Sequence, residues 1–181
     1  VVEVQIGEYH LRIFEDGVPA DWTALREHAA LFGEYDVQSR EPGPVSVVVL
    51  STPQGRDLVV AQHHEPSGPG FPLGVLLVPE TGVLLIGAGE RVLAYDIRVP
   101  ELLWEDRAEF GFWAFARHGD VILMLAELEL AAWTTAGHKV WSVFVEPPWT
   151  YTVHEQTVTL DVMGRVRSLD LRTGTPVEGR P

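Results

Sequence analysis

The chain of 181 residues contains no cysteine and no asparagine, and its basic residues are twelve arginines against the single Lys139. Without cysteine, disulfide staples, thiolate zinc sites and cysteine nucleophiles are all excluded. The missing asparagine, a thermolabile residue, fits either GC-rich codon use or heat tolerance. Long apolar runs are lacking too. The stretches at 45–50 and 75–78 are cut by Ser51 and Pro79, far short of the roughly 18 residues a membrane span needs. No transmembrane segment is expected. Basic charge is scarce and scattered, and the net charge of −13 would repel a phosphate backbone, which argues against a nucleic acid partner. The same acidity serves solubility, and it can also steer a basic protein.

What is present is the composition of a folded globular protein, 46% hydrophobic and 22% charged, long enough for one compact body. The chain begins on Val1 rather than Met, so the N-terminus reads as processed or trimmed, and a cytoplasmic location is an assumption. Two alternating runs, Val2-Glu3-Val4-Gln5-Ile6 and Tyr9-His10-Leu11-Arg12-Ile13, meet at Gly7-Glu8 as a half-buried hairpin. Asp21 then precedes apolar residues at 22, 25, 29 and 32 with a closing Gly33, the pattern of one amphipathic helix. Everything after the breaker-rich stretch 39–44 reads as short strands, beginning with 45–51 and 57–63 around Pro53-Gln54-Gly55. A Pro/Gly-rich loop is expected at 65–72. The expected division is an N-terminal hairpin and helix at 1–40, capping a β-repeat region at 41–181.

Three windows in the second half align: Val83-Leu84-Leu85-Ile86 through Tyr95 to Trp104, Val121-Ile122-Leu123-Met124 through Trp133 to Trp141, and Val158-Thr159-Leu160 through Leu169 to Glu178. Their spacing is 36 to 38 residues, with Trp113-Ala114-Phe115 matching Trp149-Thr150-Tyr151. Four short strands per 40 or so residues is the period of a propeller blade. The segments Ala132-Trp133-Thr134-Thr135-Ala136-Gly137-His138-Lys139-Val140-Trp141 and Ser168-Leu169-Asp170-Leu171-Arg172-Thr173-Gly174 resemble the Ala-x-Asp-x-x-Thr-Gly-Lys-x-x-Trp signature of quinoprotein-type (PQQ-like) propeller repeats. The resemblance covers roughly 75–181. It departs from the pattern at Thr134, where Asp is usual, across 97–103, which lacks Thr-Gly, and at Glu178, where Trp is usual. The resemblance implies an all-β fold of propeller-like antiparallel blades, with three clear repeats, irregular N-terminal hairpins and one short helix. Quinoproteins close seven or eight blades, too many for this chain, and no cofactor carries over.

The candidate chemistry is sparse. His63-His64-Glu65 has metal-ligand residue types, but neighbouring strand residues point to opposite faces, so a strand end is expected and no metal. His118-Gly119-Asp120 reads as turn chemistry. Glu127 and Glu129 are spaced for one strand face, yet sit at an expected hairpin tip. Asp96 and Asp170 recur at one blade position, which suggests a carboxylate accepting backbone hydrogen bonds in a turn. Repeated tryptophans are expected to pack blade against blade. The ligand-binding alternative is an aromatic platform of Trp113, Trp149 and Tyr151 for a sugar or peptide. With no phosphate loop or nucleophile elbow legible, the expected function is a non-catalytic interaction or scaffold module with a protein partner. The alternatives are a carbohydrate- or peptide-binding protein or hydrolase, and an acidic immunity-type protein neutralising a basic partner. No catalytic residue is assigned.

Overall fold

A computed structural model describes residues 1–36, 44–63 and 73–177. His64, Glu65, the 65–72 loop, most of the 39–44 connection and Glu178 lie outside the described residues. The described chain is all-β apart from one helix, and its strands form four separate sheets in chain order. Sheet 1 holds β1 (Val2–Ile6), β2 (Tyr9–Phe14), β3 (Leu31–Tyr35), β4 (Val45–Ser51) and β5 (Asp57–His63), in the order β1-β2-β4-β5-β3. Sheet 2 is the meander β6 (Gly74–Val78), β7 (Val83–Ala88), β8 (Arg91–Asp96) and β9 (Glu101–Arg107). Sheet 3 repeats it with β10 (Phe112–His118), β11 (Val121–Ala126), β12 (Glu129–Thr134) and β13 (Lys139–Phe144). Sheet 4 has β14 (Trp149–His154), β15 (Thr157–Val162) and β16 (Arg165–Asp170).

The β-branched runs at 45–51 and 57–63 form strands with the bounds their sequence implies. The helix is shorter than its pattern. α1 spans Trp22–His28, and Leu31 and Phe32 instead start β3, which pairs in parallel with β5. Partnering an existing strand gives Leu31 to Tyr35 a full ladder of hydrogen bonds, which outweighs one further turn of a short helix. Gly33 is accordingly a strand residue rather than a helix cap. Because β2 pairs β4 and β3 pairs β5, the first 36 residues and the next segment share a single sheet.

The sheets stack face to face in sequence order. Leu11, Val48, Leu58 and Val60 of sheet 1 meet Leu84, Ile86, Leu93 and Tyr95 of sheet 2. Sheet 2 meets sheet 3 through Val92 and Ala108 against Phe112, Met124 and Trp133, and through Val83, Leu85 and Ala94 against Ile122. Leu123, Leu130, Ala132 and Trp141 of sheet 3 close on Trp149, Val158, Leu160 and Leu169 of sheet 4. Each buried apolar side chain of this size contributes about 1.5–3 kcal/mol, so the three seams hold the stack together.

Strand register makes the repeat spatial. Tyr95, Trp133 and Leu169 each stand fifth in their strands, opposite Leu84, Ile122 and Val158. All three are buried and all face the preceding sheet. In the third copy the structure therefore aligns Val158 with Ile122, one place off the sequence alignment. The first strands need a second correction. A bulge between Phe112 and Ala114 leaves Trp113 as an extra residue. Phe112 opposite Ala126 then matches Trp149 opposite Val162, and Phe115 opposite Met124 matches Tyr151 opposite Leu160.

The two ends of the stack are finished differently. On the outer face of sheet 1, Leu25, with Trp22, Ala29 and Phe32, covers Val47, Val49, Val59 and Ala61. On sheet 4 three positions of the outer face are polar instead, although Val166 on the same face is exposed. Core positions Val83 and Val121 become Thr157, Leu85 and Leu123 become Thr159, and Ala94 and Ala132 become Ser168.

Candidate functional site

The predicted aromatic group lies in the seam between sheets 3 and 4. The Trp113 ring stacks on Trp149, with centroids 5.4 Å apart and planes 12° from parallel. Trp149 is only 7% exposed, and its indole N–H donates to the Glu127 carbonyl at 3.1 Å. It offers no free face. Tyr151 is half-buried beside it, 6.4 Å from the Trp149 ring and edge-on to His118 at 6.4 Å. Burial pushes the Tyr151 phenol above its ordinary range, so it is a neutral hydroxyl at any physiological pH.

Above this stack the seam opens. His118 and the Gly119-Asp120 turn of sheet 3 face Val153, the Glu155-Gln156 turn, Leu171 and Arg172 of sheet 4 across a cleft of ≈ 660 Å³. Arg172 donates to Asp120 at 3.1 Å, a pair whose side chains are 60% and 58% exposed, and so worth under about 1 kcal/mol. The Nε2 atom of His118 is buried without a hydrogen-bond partner. Glu155 holds the left-handed conformation at φ 53°, matching Gly119 at φ 64° in the equivalent turn. A side chain there costs about 1–2 kcal/mol. Sequence reasoning placed His118-Gly119-Asp120 in a turn, which holds, but missed the cleft its residues share with sheet 4.

The other perturbed groups are structural. Asp96 Oδ1 accepts from the backbone N–H of Arg98 at 2.8 Å, and Asp170 Oδ1 from those of Arg172 and Thr173 at 3.0 and 2.8 Å. The Arg98 side chain and these turn N–H groups hold the two carboxyls below the usual range, and Thr134 Oγ1 accepts from His138 N–H in the same turn of sheet 3. Glu80 is lowered by the Arg117 guanidinium hydrogen-bonded to it across the seam of sheets 2 and 3. Burial alone would lower Lys139, but Asp106 at 2.7 Å and Glu129 at 3.4 Å outweigh it and hold the ammonium above its usual value. Burial and the Tyr35 hydroxyl at 2.9 Å push Tyr95 far above the phenol range. Trp104 and Trp141 donate their indole N–H groups to the carbonyls of Gly137 and Leu171, at 2.6 and 2.9 Å, in the following sheets.

His63 lies 3.2 Å from Glu34 and 3.5 Å from Asp36, and among the described residues no group of three or more His, Asp or Glu side chains is arranged to hold a metal. Glu129 opens β12, whereas Glu127 precedes the strand, so they do not share a strand face. None of the described helices is long and apolar enough to cross a membrane.

No family model and no curated protein matches the chain. Among solved structures it is similar to the computationally designed protein Ika4, at 16% identity over 63% of this chain and 75% of that one, with a TM-score of 0.46. BamB from Moraxella catarrhalis aligns at 18% identity over 75% of this chain and 45% of its own, with a TM-score of 0.45. Sqt1 from Saccharomyces cerevisiae aligns at 14% identity over 77% of this chain and 45% of its own, with a TM-score of 0.44. The chain thus spans under half the length of the latter two.

Proposed function

We propose that this chain is a non-catalytic interaction module, built on blade repeats of the PQQ-like type, which binds a protein partner through the cleft between sheets 3 and 4. One observation carries the reading: the perturbed carboxylates, the raised lysine and the deeply buried Tyr95 are each engaged in a turn, an ion pair or a hydroxyl pair, while the facing turns of sheets 3 and 4 leave an open cleft. Perturbed groups at a catalytic centre converge on one place. Here the perturbed groups are dispersed along the seams and serve the fold. The rigid stack presents two hairpin turns side by side, as a docking surface requires. The charge of −13 disfavours nucleic acid as the partner.

The test is quantitative affinity capture from the source lysate with the wild-type chain and with a Gln156→Arg variant, at an exposed turn position of the cleft, as baits. A partner enriched by the wild type and depleted by the variant is the expected outcome. Enrichment of nothing over a bait-free control, or equal enrichment by both baits, would overturn the reading.

A further inference from the structure

The seam between sheets 2 and 3 offers an internal reference for the cleft. There Arg117, opposite Ile122 on β10, reaches back to the carboxylate of Glu80 in the β6–β7 turn. Thr81 Oγ1 donates to the Thr135 carbonyl at 2.5 Å in the same seam, and Val78, the last residue of β6, is fully buried. One seam further on, the position of Arg117 falls to Val153, opposite Val158 on β14. The position of Val78 falls to His118, opposite Val121 as Val78 is opposite Val83. The carboxylate of the turn persists as Asp120. The repeat therefore sets a guanidinium from the facing strand against a turn carboxylate in one seam; in the next, Val153 holds that strand position on the wall of the cleft, and Asp120 is met instead by the exposed Arg172.

From this comparison we infer that the cleft takes a cationic side chain, an arginine or lysine presented by the partner, in the place that Arg117 fills one seam earlier. The inference rests on the reading of the chain as an interaction module. Three features of the cleft suit such a group. Val153 offers apolar surface to an aliphatic stem, as long basic side chains use. Asp120 and Glu155 are two carboxylates against the one arginine of the cleft, Arg172, and the Arg172–Asp120 pair is exposed enough to yield at little cost. Glu155 stands where the equivalent turn has Gly119, so backbone strain is accepted for a carboxylate at the rim.

The experiment titrates the intact chain with a blocked Gly-Arg-Gly peptide, following the His118 imidazole resonances by NMR. A blocked Gly-Leu-Gly peptide and maltotriose serve as controls. Saturable shifts with the arginine peptide alone are expected. A Val153→Arg variant installs the guanidinium internally and should weaken the peptide by up to about fivefold, the equivalent of one exposed ion pair. Because the new arginine could disturb the seam, Asp120→Asn and Glu155→Gln provide near-isosteric variants with the same expected loss. No saturable shift, an equal response to maltotriose or the leucine peptide, or unchanged affinity in all three variants would overturn the inference. If lysate capture finds a partner insensitive to Val153→Arg, the module reading stands and this inference falls. If the peptide binds but no partner is captured, the reverse holds.

Discussion

Phe112 is the residue whose surroundings leave least freedom. Its ring is fully buried and lies across the Gly74 and Gly87 pair of sheet 2. A Cβ at Gly87 would stand 2.5 Å from ring atoms Cδ2 and Cε2, and one at Gly74 would stand 2.4 Å from Cε1. Carbon contacts are comfortable at about 3.5–4.0 Å, so Gly87→Ala demands a movement of roughly 1 Å from a ring with no room behind it. Overpacking of this kind costs about 1–3 kcal/mol, and the alanine recovers about 0.5–1 kcal/mol of chain entropy. A net loss of about 1–1.5 kcal/mol should lower the melting temperature by about 2–6 °C for a chain of this size. Phe112→Ala alone should cost about 3–5 kcal/mol. In the double variant the clash has no partner, so urea denaturation should give a non-additive cycle with a coupling of about 1–3 kcal/mol. An unchanged midpoint for Gly87→Ala, or simple additivity, would refute the packing of sheet 2 on sheet 3 through this ring.

Glu155→Gly should raise stability by about 1 kcal/mol in urea melts, by relieving the left-handed side chain, while weakening the arginine peptide. A variant that is less stable would remove the strain from consideration. The carboxyls of Asp96, Asp170 and Glu80 are held below their unfolded values. Their contribution is therefore present above about pH 4 and lost as pH falls through the lowered folded values, and Asp170→Asn should flatten the acid limb of stability against pH. Tyr95 and Lys139 are raised. Their contribution is present below about pH 10 and lost as pH rises through the folded values, which Tyr95→Phe should shift on the alkaline limb. Thr157→Val, Thr159→Leu and Ser168→Ala together restore the apolar repeat on sheet 4, and sedimentation should then show association that the parent lacks. A variant no more associated than the parent would show that these polar positions do not limit association.

Much of this was legible because β-strands announce themselves by alternation and by what interrupts them. The hairpin at Gly7-Glu8, both strands around Pro53-Gln54-Gly55, and the recurrence of Tyr95, Trp133 and Leu169 needed only local chemistry. The end of α1 was not legible, since Leu31 and Phe32 fit a helix stripe as well as a strand and their parallel partner is distant in sequence. The Trp113 bulge escaped for a related reason. Trp-x-Phe and Trp-x-Tyr look alike, and only the ladder with β11 shows that Phe112 is the equivalent of Trp149. The cleft depends on which side chains face one another across a seam, which register decides. Two signals did exist in the aligned turns, Glu155 under Gly119 and Val153 under Arg117.

Partner binding at the seam of sheets 3 and 4 is open to a direct test. A photo-crosslinking benzoylphenylalanine placed at Gln156 on the cleft, and in a second sample at Val166, 65% exposed on the outer face of sheet 4, tests it in the source lysate. The account predicts one discrete crosslinked protein from position 156, competed by the blocked arginine peptide, and none from position 166. Crosslinking from 166 alone, equal crosslinking from both, or none from either would contradict it.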